Sequence, residues 1–156
     1  ASIADVVKVA KLLLDAGADP NIRSKQGNPA LLDAILFGQY QSAMRLIERG
    51  ASVNVNGPKW APIHAAADHG RVELCKALLD AGASLNHLSP VKRTALMQAS
   101  ERKHADVVEF LMERGADPNL RDEKGITARR LSLTSQDILG SPSNSTQILD
   151  RFGAIA

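Results

Sequence analysis

The pair Gly-Ala recurs at Gly17-Ala18, Gly50-Ala51, Gly82-Ala83 and Gly115-Ala116, at intervals of 33, 32 and 33 residues. Four residues after each Gly stands an Asn: Asn21, Asn54, Asn86 and Asn119. Before each Gly lie two large apolar residues, Leu13-Leu14, Leu46-Ile47, Leu78-Leu79 and Leu111-Met112. A second register runs through Pro29-Ala30-Leu31, Ala61-Pro62-Ile63, Thr94-Ala95-Leu96 and Thr127-Ala128, at 32, 33 and 33. Both registers lose one residue in the same cycle, which places the deletion between Gly50 and Pro62. A unit of this size cannot bury its apolar face alone. A chain built from such units must stack them.

Each recurring residue has a local role. Gly just past a helix end adopts the left-handed backbone that stops the helix. Pro or a small residue at the next helix start suits a first turn whose N–H groups have no helical partner. Between them lie polar, turn-forming stretches such as Ser24-Lys25-Gln26-Gly27, which read as projecting hairpins. The Asn side chain is expected to bond local backbone and tie down the base of its own loop.

The 156 residues suffice for one compact domain or a short repeat array. With 44% hydrophobic but only 3% aromatic residues, the core must be aliphatic. A net charge of +2 is too slight to argue for a nucleic-acid partner. The single cysteine, Cys75, excludes an intrachain disulfide and fits a reducing compartment, cytoplasm or nucleus. Residues 1–14 lack the basic start and long apolar run of a secretory leader. No apolar stretch approaches the ~18 residues of a membrane span, so no membrane insertion is expected.

These motifs bring a family into view. Gly-Ala-Asp-Pro-Asn at 17–21 and 115–119, Ala61-Pro62-Ile63-His64-Ala65-Ala66 and Thr127-Ala128-Arg129-Arg130-Leu131 resemble the ankyrin repeat. The resemblance covers nearly all of the chain. It implies an all-α solenoid of paired antiparallel helices, with hairpin loops projecting at right angles and inner helices lining a concave groove. About four to five repeats are expected, counting partial terminal units. These are a partial N-terminal repeat at 1–23, full repeats at 24–55, 56–88 and 89–120, and an irregular C-terminal capping repeat at 121–156. That last unit carries an insert near 134–146, with helices expected near 128–135 and 145–152. The absent inner helix of the first unit suggests a fragment of a longer protein.

In such an array the recurring positions hold the fold, and binding falls to exposed positions free to vary. The groove side of the inner helices offers Asp33, Leu36 and Phe37, then Ala65, Asp68 and His69, then Gln98, Glu101 and Arg102. The deviant second hairpin carries the only Trp, Trp60, beside Lys59. Trp60 is expected to project on the groove side near Phe37. Together with Leu36 they would form the exposed apolar cluster that marks an interaction site. Lys59, Lys92 and Arg93 make the middle hairpins basic, above an acidic groove. A partner with charges of both signs would suit that pairing, with Asp68 and Glu101 reading its cations.

Other motifs carry less. The resemblance makes His64 a structural residue bonded to hairpin backbone. The remaining histidines are scattered over different repeats, which argues against a metal site. Cys75 falls among Leu74 and Leu78 at a core position. No phosphate-binding loop, nucleophile elbow or dinucleotide motif is present, so no enzyme activity and no cofactor are expected. Ser132, after Arg129-Arg130, occupies a small-residue core position. Ser141, in the Gly140-Ser141-Pro142-Ser143 insert, is the better candidate for phosphorylation. Asn86, eight residues after Leu78, has the spacing of an asparaginyl hydroxylation acceptor. The expected function is non-catalytic binding of a protein or peptide along groove and hairpins by a monomeric chain. The alternative is an architectural segment of a longer array with no ligand of its own.

Overall fold

The computed structural model describes residues 12–55, 59–133 and 142–154. Residues 12–15 are helical. Four helix pairs follow: α1 (Ala30–Leu36) with α2 (Tyr40–Glu48), α3 (Pro62–Asp68) with α4 (Val72–Asp80), α5 (Ala95–Glu101) with α6 (Ala105–Glu113), and α7 (Ala128–Ser132) with α8 (Asn144–Arg151). The inner helices stack in the order α1, α3, α5, α7, and the outer helices in the order α2, α4, α6, α8. Among the described residues the only β pairing is an isolated antiparallel bridge, Arg23 to Pro29, across the first hairpin. The chain is an all-α repeat solenoid.

The two sequence registers mark the helix ends. Pro62 opens α3, and the Thr94 and Thr127 hydroxyls accept from the backbone N–H of Met97 and Arg130 to open α5 and α7. At the other end, Gly50, Gly82 and Gly115 stand at φ 78°, 93° and 86°. The N–H after each reaches back five residues in the closing turn: Ala51 to the Leu46 carbonyl, Ala83 to Leu78, Ala116 to Leu111, at 2.9 to 3.0 Å. This geometry satisfies carbonyls that the helix leaves open. A third left-handed position, between inner and outer helix, falls at Gly38, Gly70 and Lys103 with φ 71°, 67° and 63°.

Alanine sets the spacing of the stack. Ala61, Ala65, Ala66, Ala67, Ala95 and Ala99 are fully buried, so the inner helices approach closely. Leu74, Leu78, Val107, Val108, Leu111 and Leu149 fill the layer between inner and outer helices. At the C-terminal end, α8 packs on α6 and α7. A buried polar knot joins the Ser132 hydroxyl to that of Thr146 (2.8 Å) and Thr146 to Ser143 (3.0 Å), while the Lys103 ammonium donates to the Ser132 carbonyl. Ser132 is wholly buried, in keeping with its small-residue core position.

The hairpin asparagines act differently from expectation. They bond forward to the next unit instead of to their own loops. Asn21 Oδ1 accepts from the Ser52 N–H, Asn54 Oδ1 from Ser84, and Asn86 Oδ1 from Asp117, at 2.8 to 3.0 Å. Asn54 also donates through Nδ2 to the Gly82 carbonyl at 2.8 Å. Local duty falls to the aspartates: Asp19 and Asp117 accept from the N–H two residues on, at Asn21 and Asn119. The two side chains are equally long, so position decides: Asn reaches the next loop, whereas Asp, two residues earlier in the turn, meets its own backbone first.

Candidate functional site

Trp60 leaves the second hairpin half-buried and packed on the core, directly before α3. It forms a wall of two hollows. One, of about 390 Å³, is lined by Leu32 and Leu36 of α1, Asn28 and Gln26 of the first hairpin, and Lys59. The other, of about 250 Å³, lies between the third and fourth hairpins and is lined by Arg93, Gln98, Asp122 and Lys124 among others. Leu36, Lys59 and Trp60 thus come together around the first hollow.

Phe37 does not join them. Its side chain is 74% exposed and lines a separate apolar hollow of about 350 Å³ with Leu13, Ile22, Asp33 and Ala34. The reason is its place in the turn. Phe37 is the residue after the last helical residue of α1, immediately before the left-handed Gly38, so it leaves the inner face that Leu36 still occupies. The hollow it lines opens on the N-terminal edge of the stack. Leu13 occupies the position of Leu46, Leu78 and Leu111, which are at most 8% exposed, yet Leu13 is 57% exposed. Two further groove positions are also corrected: Ala65 and Gln98 are buried, because the neighbouring inner helices approach over them.

The groove carboxylates are engaged by neighbours. Asp33 accepts from Asn28 Nδ2 at 2.6 Å. Asp68 accepts from Arg102 Nε of the next repeat at 2.8 Å. Glu101 takes both Arg93 guanidinium nitrogens, at 2.7 and 3.2 Å, and Asp122 stands 3.6 Å from Arg93 Nε. Asp122 also accepts the N–H groups of Lys124 and Ile126, so it shapes the fourth hairpin from a buried position. Arg93 and Glu101 therefore neutralise each other instead of presenting opposite charges to a partner.

His64 is wholly buried. Its Nδ1 accepts the Ala61 N–H at 3.1 Å, which leaves the proton on Nε2 to donate to the carbonyls of His87 and Arg93, both at 3.0 Å. The ring joins α3 to the hairpin of the following repeat. Burial pushes its pKa below the ordinary value, although the two carbonyls favour the cation. Cys75 is also buried, and burial together with the nearby Asp106 charge pushes its thiol up to about 12. Ser141 lies outside the described residues. Asn86 is exposed, with its carboxamide oxygen held by the Asp117 N–H. Sequence reasoning missed Tyr40, whose hydroxyl meets His69 Nδ1 at 2.9 Å and whose ring lies under the Arg71 guanidinium at 4.1 Å. As the only tyrosine in the chain, it was open to notice.

Two models of ankyrin repeats match the sequence. A many-copy model covers residues 1–47 and a three-copy model covers residues 55–122. The chain belongs to the ankyrin-repeat family. An ankyrin repeat-containing protein of Treponema pallidum is 34% identical over 79% of this chain and 42% of its own length. The Ankyrin repeat and SAM domain-containing protein 6 of Rattus norvegicus is 35% identical over 76% of this chain and 14% of its own. The human Ankyrin repeat and SOCS box protein 3 is 36% identical over 53% and 17%. The chain thus spans less than half the length of these curated relatives. Ankyrin repeats are in general protein–protein interaction modules and in general non-catalytic. No helix among the described residues is long and apolar enough to cross a membrane.

Proposed function

We propose that this chain binds another protein, through a peptide segment or a folded surface, in the trough beside Trp60. The supporting observation is the hollow walled by Trp60, Leu32 and Leu36, which leaves a large aromatic side chain half-open on a groove otherwise built of paired charges. A half-buried Trp against an aliphatic wall is the usual composition of an interface anchor. Lys59 lines the same hollow, and Arg93, Glu101, Arg102, Asp68 and Asp33 border the groove as ion-paired or hydrogen-bonded rims. Rims of this kind orient a partner more than they hold it. The chain works as a monomer, without cofactor or catalysis, in the cytoplasm or nucleus, where the lone buried Cys75 stays reduced.

A second reading has its own observation. The exposed Leu13, Ile22 and Phe37 form a continuous apolar edge, and the counterparts of Leu13 within the stack are covered. An architectural segment of a longer array would cover that edge with a further repeat. Partner capture from cell extract separates the two readings when run with wild type, Trp60→Ala and Phe37→Ser. Circular dichroism first establishes equal folding. Loss of a partner with Trp60→Ala alone supports the groove. Loss with Phe37→Ser alone moves binding to the edge, and capture of nothing by any form sinks the groove reading.

A further inference from the structure

Resting on that groove reading, we infer that the segment recognised is extended and acidic, with one large apolar side chain seated beside Trp60. The two hollows that share Trp60 as a wall lie side by side, from Gln26 of the first hairpin to Lys124 of the fourth, and together make a trough divided by Trp60. Its broader aliphatic wall, Leu32 and Leu36, lies at one end, with Val91 alone at the other. An apolar anchor therefore finds its larger apolar surface beside Trp60 at the Leu32 and Leu36 end.

Charge decides the rest of the ligand. The carboxylates Asp33, Asp68, Glu101 and Asp122 are already held by Asn28, Arg102, Arg93 and backbone N–H groups. Asp19 and Asp117 are turned into their own loops. Asp19, Asp117 and Glu123 are exposed hairpin carboxylates without a side-chain partner among the described residues, and all three lie on the first and fourth hairpins. Against them stand four exposed lysines, one from each hairpin: Lys25, Lys59, Lys92 and Lys124. None of the four has an ion pair among the described residues. Lys92 is held by a left-handed backbone, φ 57°, at its hairpin tip. The open cations thus form a ladder, and the second and third hairpins carry no carboxylate to balance it.

The ladder has a length. Packed helices lie roughly 10 Å apart, so four successive hairpins span about 30 Å. An extended chain rises about 3.4 Å per residue and covers that span with about nine residues. Single-stranded nucleic acid fits less well. It needs successive aromatic platforms and denser cations, and the chain offers one Trp here and one open lysine per hairpin.

The test is selection of a random 12-residue peptide display library on the intact 156-residue chain, with counter-selection on Trp60→Ala. Enriched peptides are then titrated by the fluorescence of Trp60, the only Trp. Net-acidic peptides with a single aromatic or large aliphatic residue are expected. Each of Lys25→Gln, Lys59→Gln, Lys92→Gln and Lys124→Gln should weaken them roughly 1.5- to 5-fold. The quadruple variant should weaken them on the order of 10- to 100-fold. These exposed substitutions leave the fold intact, which circular dichroism checks. Trp60-dependent peptides that are neutral or basic, or that ignore the quadruple variant, overturn this inference and leave the groove reading standing. Absence of any Trp60-dependent peptide overturns both. A 12-nucleotide oligothymidylate that binds more tightly and displaces the peptides overturns it in favour of nucleic acid.

Discussion

Gly38 and Gly70 offer a matched pair for testing how the repeats are locked together. Both close an inner helix with nearly the same backbone, φ 71° and 67°. Alanine at either site incurs the left-handed penalty of about 1 to 2 kcal/mol. Their surroundings differ. A Cβ at Gly38 meets nothing closer than the Tyr40 hydroxyl at 3.9 Å. A Cβ at Gly70 falls 2.6 to 2.9 Å from Nδ1, Cε1 and Cγ of His104. The His104 ring must then swing away and give up its 2.8 Å bond from Nε2 to the Asp68 carbonyl, at about 1 kcal/mol for the bond and about as much again for lost packing. Gly70→Ala is therefore expected to cost about 3 to 4 kcal/mol, and Gly38→Ala about 1 to 2 kcal/mol. Urea unfolding followed by circular dichroism reads both. Adding His104→Ala to Gly70→Ala should remove the steric part, giving a non-additive cycle. Equal costs at the two glycines, or simple additivity with His104→Ala, would refute the steric reasoning.

Further outcomes follow from the same contacts. His64 is held neutral in the fold with its pKa below 6.5. Below about pH 6.5 the unfolded chain takes up a proton that the folded chain refuses, so stability falls with pH until the folded pKa is passed; His64→Ala should be less stable at pH 7.5 and show a flatter decline in denaturant midpoints toward pH 5. Cys75, with a thiol pKa of about 12, should resist alkylation at pH 8 in the folded chain and react promptly in urea, as mass spectrometry would record. Asn54→Ala removes two cross-repeat bonds and should cost about 1 to 3 kcal/mol; Asn54→Asp keeps the acceptor for Ser84 and should cost less.

Repeat and helix positions were legible because their causes are local. A left-handed Gly after Leu-Leu or Leu-Ile needs only the turn itself, and Pro62 opens α3 by its own ring. Lys103 shows the limit of that logic: it takes the backbone of Gly38 and Gly70 because its ammonium finds the Ser132 carbonyl on the next repeat. The reach of Asn21, Asn54 and Asn86 was misread for a related reason. Their spacing announces a loop role, but which loop they hold depends on the hairpin stacked beside them. At the candidate site, Leu36 and Trp60 follow from helical phase and the deviant hairpin. Phe37 was misplaced because one residue past a helix end the phase no longer applies. The engagement of Asp68 by Arg102 and of Glu101 by Arg93 depends on side-chain reach across or along repeats, which spacing alone does not encode.

Because Trp60 is the only Trp, its fluorescence reports the central claim without a label. The decisive measurement is acrylamide quenching of Trp60 with and without the captured partner, paired with the affinity of Trp60→Ala. Binding over the trough predicts that the partner shields Trp60 and that Trp60→Ala weakens the complex roughly 30-fold, the loss of a hot-spot anchor of about 2 kcal/mol. Unchanged quenching, together with full affinity in Trp60→Ala and loss of binding in Phe37→Ser, would contradict it and place the interface on the N-terminal edge.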